Sequence, residues 1–133
     1  MKGKPMREIV INADYGGFWL SHKAVMRYAE LAKLDLRYEI DNSELSSDDA
    51  ADAMLVHYYL NKRSAKLFND DYFNPRDIKR DDPLLLQVVK ELGSKASSRF
   101  SKLKVVRIPA DVKWQIEEYD GLEWVAEAHR TWH

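Results

Sequence analysis

Residues 9–21, IVINADYGGFWLS, constrain the fold more than any other stretch of this chain. An apolar run breaks into Gly16-Gly17, and Ser21 then opens an amphipathic segment. That order predicts a strand, a tight glycine loop and a helix N-terminus. Two adjacent glycines permit positive φ and close backbone approach. Exposed N–H groups at such a loop, with the positive end of a helix beside them, favour an anionic ligand. The alternative is a tight turn packed by Phe18 and Leu20.

The apolar alternation extends this reading along the chain. Val25, Tyr28, Ala29 and Ala32 follow helical spacing from Ser21, and the helix should fade near Lys33. Leu36, Tyr38 and Ile40 alternate with polar neighbours, as in a half-buried strand. Residues 41–53 are acidic, with Asp41, Glu44, Asp48, Asp49 and Asp52. They read as a solvated helix start capped by Ser47 rather than a cation site, with Ala51, Met54, Leu55, Tyr58 and Tyr59 as its apolar stripe. A strand through residues 54–60 is the competing assignment.

Residues 68–83 read as a long loop. Asp82-Pro83 then starts a helix with Leu85, Val88, Val89 and Leu92 inward and Gly93 closing it. A short helical piece is expected over residues 95–100 and a buried strand over 103–108. A hairpin turning at Asp120-Gly121 follows, with its return strand running from Leu122 to about His129. A two-residue turn there sets Glu118 opposite Glu123, a like-charge pair that a bulge or longer loop would relieve. The expected fold is mixed α/β over residues 1–133: one domain, a central sheet, two to three helices and a C-terminal β-hairpin. Residues 41–67 read as an acidic and aromatic insertion.

Composition excludes several function classes. There are no cysteines, so disulfides, thiolate metal sites and cysteine nucleophiles are ruled out. The 21 basic and 22 acidic residues leave a formal charge of -1, which gives no argument for nucleic acid or membrane binding. The basic opening Met1-Lys2-Gly3-Lys4-Pro5 lacks the apolar core of a signal peptide, so an intracellular protein is expected. No cofactor is expected.

Three constellations can carry chemistry. The first is the loop Tyr15-Gly16-Gly17 with Ser21, although the chain lacks the full dinucleotide and phosphate-loop motifs. The second is the charged loop with Arg76 and Arg80, whose guanidinium groups can fork onto a phosphate or carboxylate, or pair internally with Asp77, Asp81 and Asp82. The third is the C-terminal His129-Arg130-Thr131-Trp132-His133, suited to stacking and phosphate contact. His129 and His133 have helical metal spacing, but no third ligand is evident and no metal site is expected. His22 and His57 read as structural. Asp14, Asp71, Glu127 and His129 are available as acids or bases, yet no spacing fixes a reaction type. Ser21 lacks a base and is accounted for as a cap.

Three segments together resemble one family: residues 9–21, residues 80–93 (RDDPLLLQVVKELG) and residues 103–132, ending in EYDGLEWVAEAHRTW. The set resembles a family of small uncharacterised proteins encoded by bacteriophages and large DNA viruses, over most of the chain outside residues 41–67. Trp19 stands where the family pattern has glycine. The resemblance implies a virus-encoded accessory protein of the host cytoplasm, acting against a host defence. It transfers no activity.

The leading expectation is therefore a non-catalytic, oligomeric protein. In it Tyr15, Gly16, Gly17, Ser21, Arg76, Arg80, His129, Arg130 and Trp132 face an anionic, nucleotide-like ligand. A protein-protein inhibitor anchored by Trp19, Tyr58, Tyr72, Trp124 and Trp132 is the alternative. A nucleotide-processing enzyme using Glu127 and His129 is the third.

Overall fold

The computed structural model describes residues 5–40, 46, 56–60 and 72–128. Among them, β1 (Met6–Asn12) pairs antiparallel with β5 (Leu103–Pro109). A second sheet runs in the order β2 (Leu36–Ile40), β3 (Val56–Leu60) and β4 (Tyr72–Phe73), and β6 (Trp114–Tyr119) with β7 (Leu122–Glu127) forms the C-terminal hairpin. Helices α1 (His22–Leu31) and α2 (Pro83–Leu92) complete a mixed α/β fold. The expected central sheet is thus distributed over three small sheets.

Local chemistry accounts for both helices. The Ser21 side chain accepts the Ala24 N–H at the head of α1, and Asp82 accepts the Leu84 N–H ahead of Pro83 at the head of α2. Gly93 ends α2 at φ 58°. A 3-10 turn, Gly93–Ala96, replaces the longer helical piece expected there, and the following Ser97 bridges to Leu20. A further 3-10 turn, Pro75–Asp77, interrupts the expected loop.

The core joins one stripe of each helix to one face of the three-stranded sheet. Val25 and Ala29 from α1 meet Leu85, Val88 and Val89 from α2, with Leu36, Val56 and Tyr58 above them and Val10, Phe18 and Leu20 from the N-terminal segment. Fully burying a side chain such as Leu85 contributes about 1.5–3 kcal/mol. Cross-strand pairs Leu36–Leu60, Tyr38–Tyr58 and Ile40–Val56 share one face, on which Leu36, Val56 and Tyr58 are buried while Tyr38 stays exposed.

That register corrects the helix expected across Tyr58 and Tyr59. Residues 56–60 are a strand because period-two alternation buries Val56 and Tyr58 while exposing His57, where a helical stripe would have buried Tyr58 and Tyr59 together. The rest of that expected helix lies outside the described residues. Tyr58 also gives His22 its place: the phenol sits 2.8 Å from His22 Nδ1, and Tyr38 meets the imidazole edge-on.

Charged groups tie the helices together. Arg27 of α1 forks onto Glu91 of α2 at 2.9 and 3.0 Å and also pairs with Glu30. The Arg27 guanidinium holds the Glu91 carboxyl below its usual range. Tyr28 of α1 donates to Asp82 Oδ2 at 2.7 Å, beside the oxygen that caps α2. Burial, then the bond to the Asp82 carboxylate, pushes the Tyr28 phenol up to about 12. The neutral phenol is therefore the form the fold favours. Its contribution is complete below the ordinary value of 10.0 and is lost as pH rises toward about 12. Tyr28→Phe is expected to remove this alkaline component of unfolding, read as the difference between the two proteins' stabilities across that window. An unchanged profile would place the alkaline transition elsewhere.

Among the described residues, no helix is long and apolar enough to cross a membrane.

Candidate functional site

The segments carrying the sequence signals converge on the outer edge of β1. Antiparallel pairing with β5 leaves the N–H groups of Val10 and Asn12 directed away from the ladder. Val10 N–H donates to the Arg80 carbonyl at 2.8 Å, and Asn12 N–H donates to Glu123 Oε1 at 2.8 Å. Arg80 forks onto both Glu123 oxygens at 2.6 and 2.9 Å and reaches the Val10 carbonyl at 3.3 Å. Its guanidinium lies 3.5 Å from the centre of the Phe18 ring. Two side chains and one carbonyl thus stand in for a neighbouring strand.

The Arg80–Glu123 pair is largely enclosed, with side-chain exposures of 17% and 10%. At that burial the desolvation cost is large, and it is offset only when the remaining donors and acceptors are engaged. Here they are. Asn12, fully buried, locks the same place: Nδ2 donates to the Asp14 and Gly121 carbonyls, and Oδ1 accepts the Lys102 N–H.

The double glycine lies against the hairpin turn. Gly16 N–H donates to the Asp120 carbonyl at 3.3 Å. A Cβ on Gly121 would fall 2.2 Å from Gly17 N, and one on Gly16 would fall 2.6 Å from the Phe100 carbonyl oxygen. Asp120 and Gly121 have φ of 49° and 88°, as a two-residue hairpin turn requires. The Glu118–Glu123 opposition does occur, without a bulge. Arg80 neutralises Glu123, and Glu118 turns to accept the Gly121 N–H.

Around this locked junction stand three aromatic side chains. Tyr15 beside the double glycine is 56% exposed, Phe100 is 53% exposed and Tyr119 beside the hairpin turn is 71% exposed. Trp124 lies on the outward face of the same hairpin, its indole N–H donating to Glu117. A separate groove of about 770 Å³ runs between α1, β2 and the end of α2, floored by Met26, Ala29 and Leu36. Its lining shares no residue with the aromatic patch, and Arg27, Glu30 and Glu91 pair across its rim.

The structure brings Tyr15, Gly16, Gly17 and Arg80 to one junction, and commits most of their polar groups there. Gly16 N–H and the Arg80 guanidinium bond within the fold. Ser21 Oγ caps Ala24 and donates to the Lys95 carbonyl, while Ser21 N–H donates to the Ala96 carbonyl. Arg76 is exposed on its 3-10 turn, its N–H held by Asn74. His129, Arg130 and Trp132 lie outside the described residues, as does Asp71. Of the expected protein anchors, Tyr58 is core and Tyr72 and Trp124 are exposed.

Glu123 and Phe18 were not legible as partners of Arg80, nor Asn12 as a partner of Glu123, although the like-charge conflict at Glu118–Glu123 signalled that one of these carboxylates needed a cation. Phe100 and Tyr119 carry no such signal. The chain matches no protein-family model, no curated protein and no solved structure.

Proposed function

We propose that this chain is a non-catalytic protein-binding domain with Tyr15, Phe100 and Tyr119 as its anchors. The observation that supports this reading is the mounting of three more-than-half-exposed aromatic rings on turns whose backbones touch. Aromatic side chains bury a large area with few rotatable bonds, and tyrosine is among the residues that dominate measured interface energies. A locked scaffold beneath them reduces the ordering cost on association. The same geometry disfavours the anionic-ligand reading, because Arg80, Ser21 and Gly16 already donate within the fold. With the resemblance to phage and large-virus proteins, the partner proposed is a host defence protein masked by this surface.

The test is affinity capture from host cells with the wild-type chain and with a Tyr15→Ser, Phe100→Ser, Tyr119→Ser variant, followed by titration of the purified partner. The serine variant is expected to bind about 30-fold or more weakly. Its melting temperature should stay close to wild type, because the rings are exposed. A partner held equally well by the variant overturns the proposal. So does a nucleotide panel that raises the melting temperature in the absence of any protein partner.

A further inference from the structure

The β1–β5 ribbon carries outward backbone groups on both of its edges. The Ala13 N–H bond to the Lys102 carbonyl and the Ala110 N–H bond to the Pro5 carbonyl fix which pairs of the ladder are bonded: Arg7–Ile108, Ile9–Val106 and Ile11–Lys104. On β5 the backbone groups of Leu103, Val105 and Arg107 therefore point away from β1. Leu103 N–H is taken by Ser97 Oγ at 2.9 Å. Among the described residues, the outward N–H groups of Val105 and Arg107 have no partner. On the opposite edge, on β1, Arg80 and Glu123 take the outward N–H groups of Val10 and Asn12, while those of Met6 and Glu8 have no partner among the described residues. On β1 the C-terminal half of the edge is blocked by Arg80 and Glu123, whereas on β5 the open N–H groups lie at the middle of the strand.

We infer that the β5 edge binds a second copy of this chain, in antiparallel register about a two-fold axis through Val106. In that register Val105 faces the second copy's Arg107 and exchanges two backbone hydrogen bonds with it, and symmetry repeats the exchange. Lys104 faces the second copy's Ile108, and the two Val106 residues face each other. No cation opposes a cation.

The ends match as well. Leu103 meets Pro109, and neither has an N–H to offer: one is bound to Ser97, and the other is a proline. The axis through Val106 overlaps all seven residues of the strand. Moving it to Arg107 would set two arginines face to face, a destabilising pair. Association converts two ribbons into one four-stranded sheet, β1-β5-β5-β1. Ribbons of two strands are marginal on their own, and strand addition at an open edge is a common route out of that state.

Arg107→Pro removes one outward N–H per chain while leaving the ladder to β1 and the core untouched, because Arg107 is exposed and its N–H points outward. Sedimentation of the wild type is expected to show twice the chain mass at high concentration, with Arg107→Pro weakening association about tenfold or more. Since the chain has no cysteine, Val106→Cys supplies a unique thiol on the axis. It should oxidise to a covalent dimer under conditions that leave Lys104→Cys uncrosslinked. A wild type that stays monomeric overturns the inference, as does a dimer indifferent to Arg107→Pro or equal crosslinking at both positions. The aromatic-patch variant should dimerise normally, so failure of one proposal does not entail failure of the other.

Discussion

Gly121→Ala is expected to destabilise the fold by about 3 kcal/mol or more, measured by urea unfolding. Two separate effects combine at this position. The backbone has φ of 88°, a region L side chains rarely adopt, and the added methyl would stand 2.2 Å from Gly17 N. The methyl meets backbone rather than the end of a flexible side chain, so relief requires the hairpin to move off the double-glycine loop. That movement would also stretch the Asn12 bond to the Gly121 carbonyl. Gly93→Ala separates the two effects. Gly93 has φ of 58° and ψ of -130° with nothing within 4 Å of the place its methyl would occupy, so its substitution should cost backbone strain alone, about 1–3 kcal/mol. Equal costs at the two glycines would mean that the close approach of loop and turn contributes nothing.

Arg80→Met is expected to cost about 3–5 kcal/mol, because it leaves the Glu123 carboxylate enclosed without its cation. Glu123→Met strands the guanidinium over Phe18 and also deprives Asn12 N–H of its acceptor, so its cost should be similar or larger. The double variant should cost clearly less than the two single losses added together, since neither charge is then left alone. Additive losses would show that Arg80 and Glu123 act on β1 independently, and that the ion pair is incidental to the sealing of its edge.

The parts of the fold that rest on neighbouring residues were legible in the sequence. Ser21 and Asp82 cap their helices, Gly93 ends α2, and Asp120-Gly121 turns the hairpin, because capping and turn chemistry act over a few residues. The strand at residues 56–60 was harder to read. A run rich in tyrosine fits helical and alternating spacing almost equally, and its pairing with β2 decides the matter. The candidate site was legible as a place but not as a purpose. The glycine loop, Arg80 and the hairpin do meet, yet Arg80's carboxylate lies 43 positions away, beyond the range of any spacing rule. Exposure of Phe100 and Tyr119 is likewise a property of the assembled surface, not of the residues beside them.

The manner in which β1 is enclosed has a consequence for how the chain is made. The groups that complete this strand come late: its ladder partner begins at Leu103, and the carboxylate on its far edge is 111 residues downstream of Asn12. At about 5–20 residues per second, a ribosome needs roughly 5–20 seconds to travel that distance. For most of that interval, until residues 103–109 are made, the apolar run Ile9-Val10-Ile11 has been synthesised without its ladder partner. The nascent chain must be shielded for that time by its surroundings, and its first strand is among the last pieces to find its place.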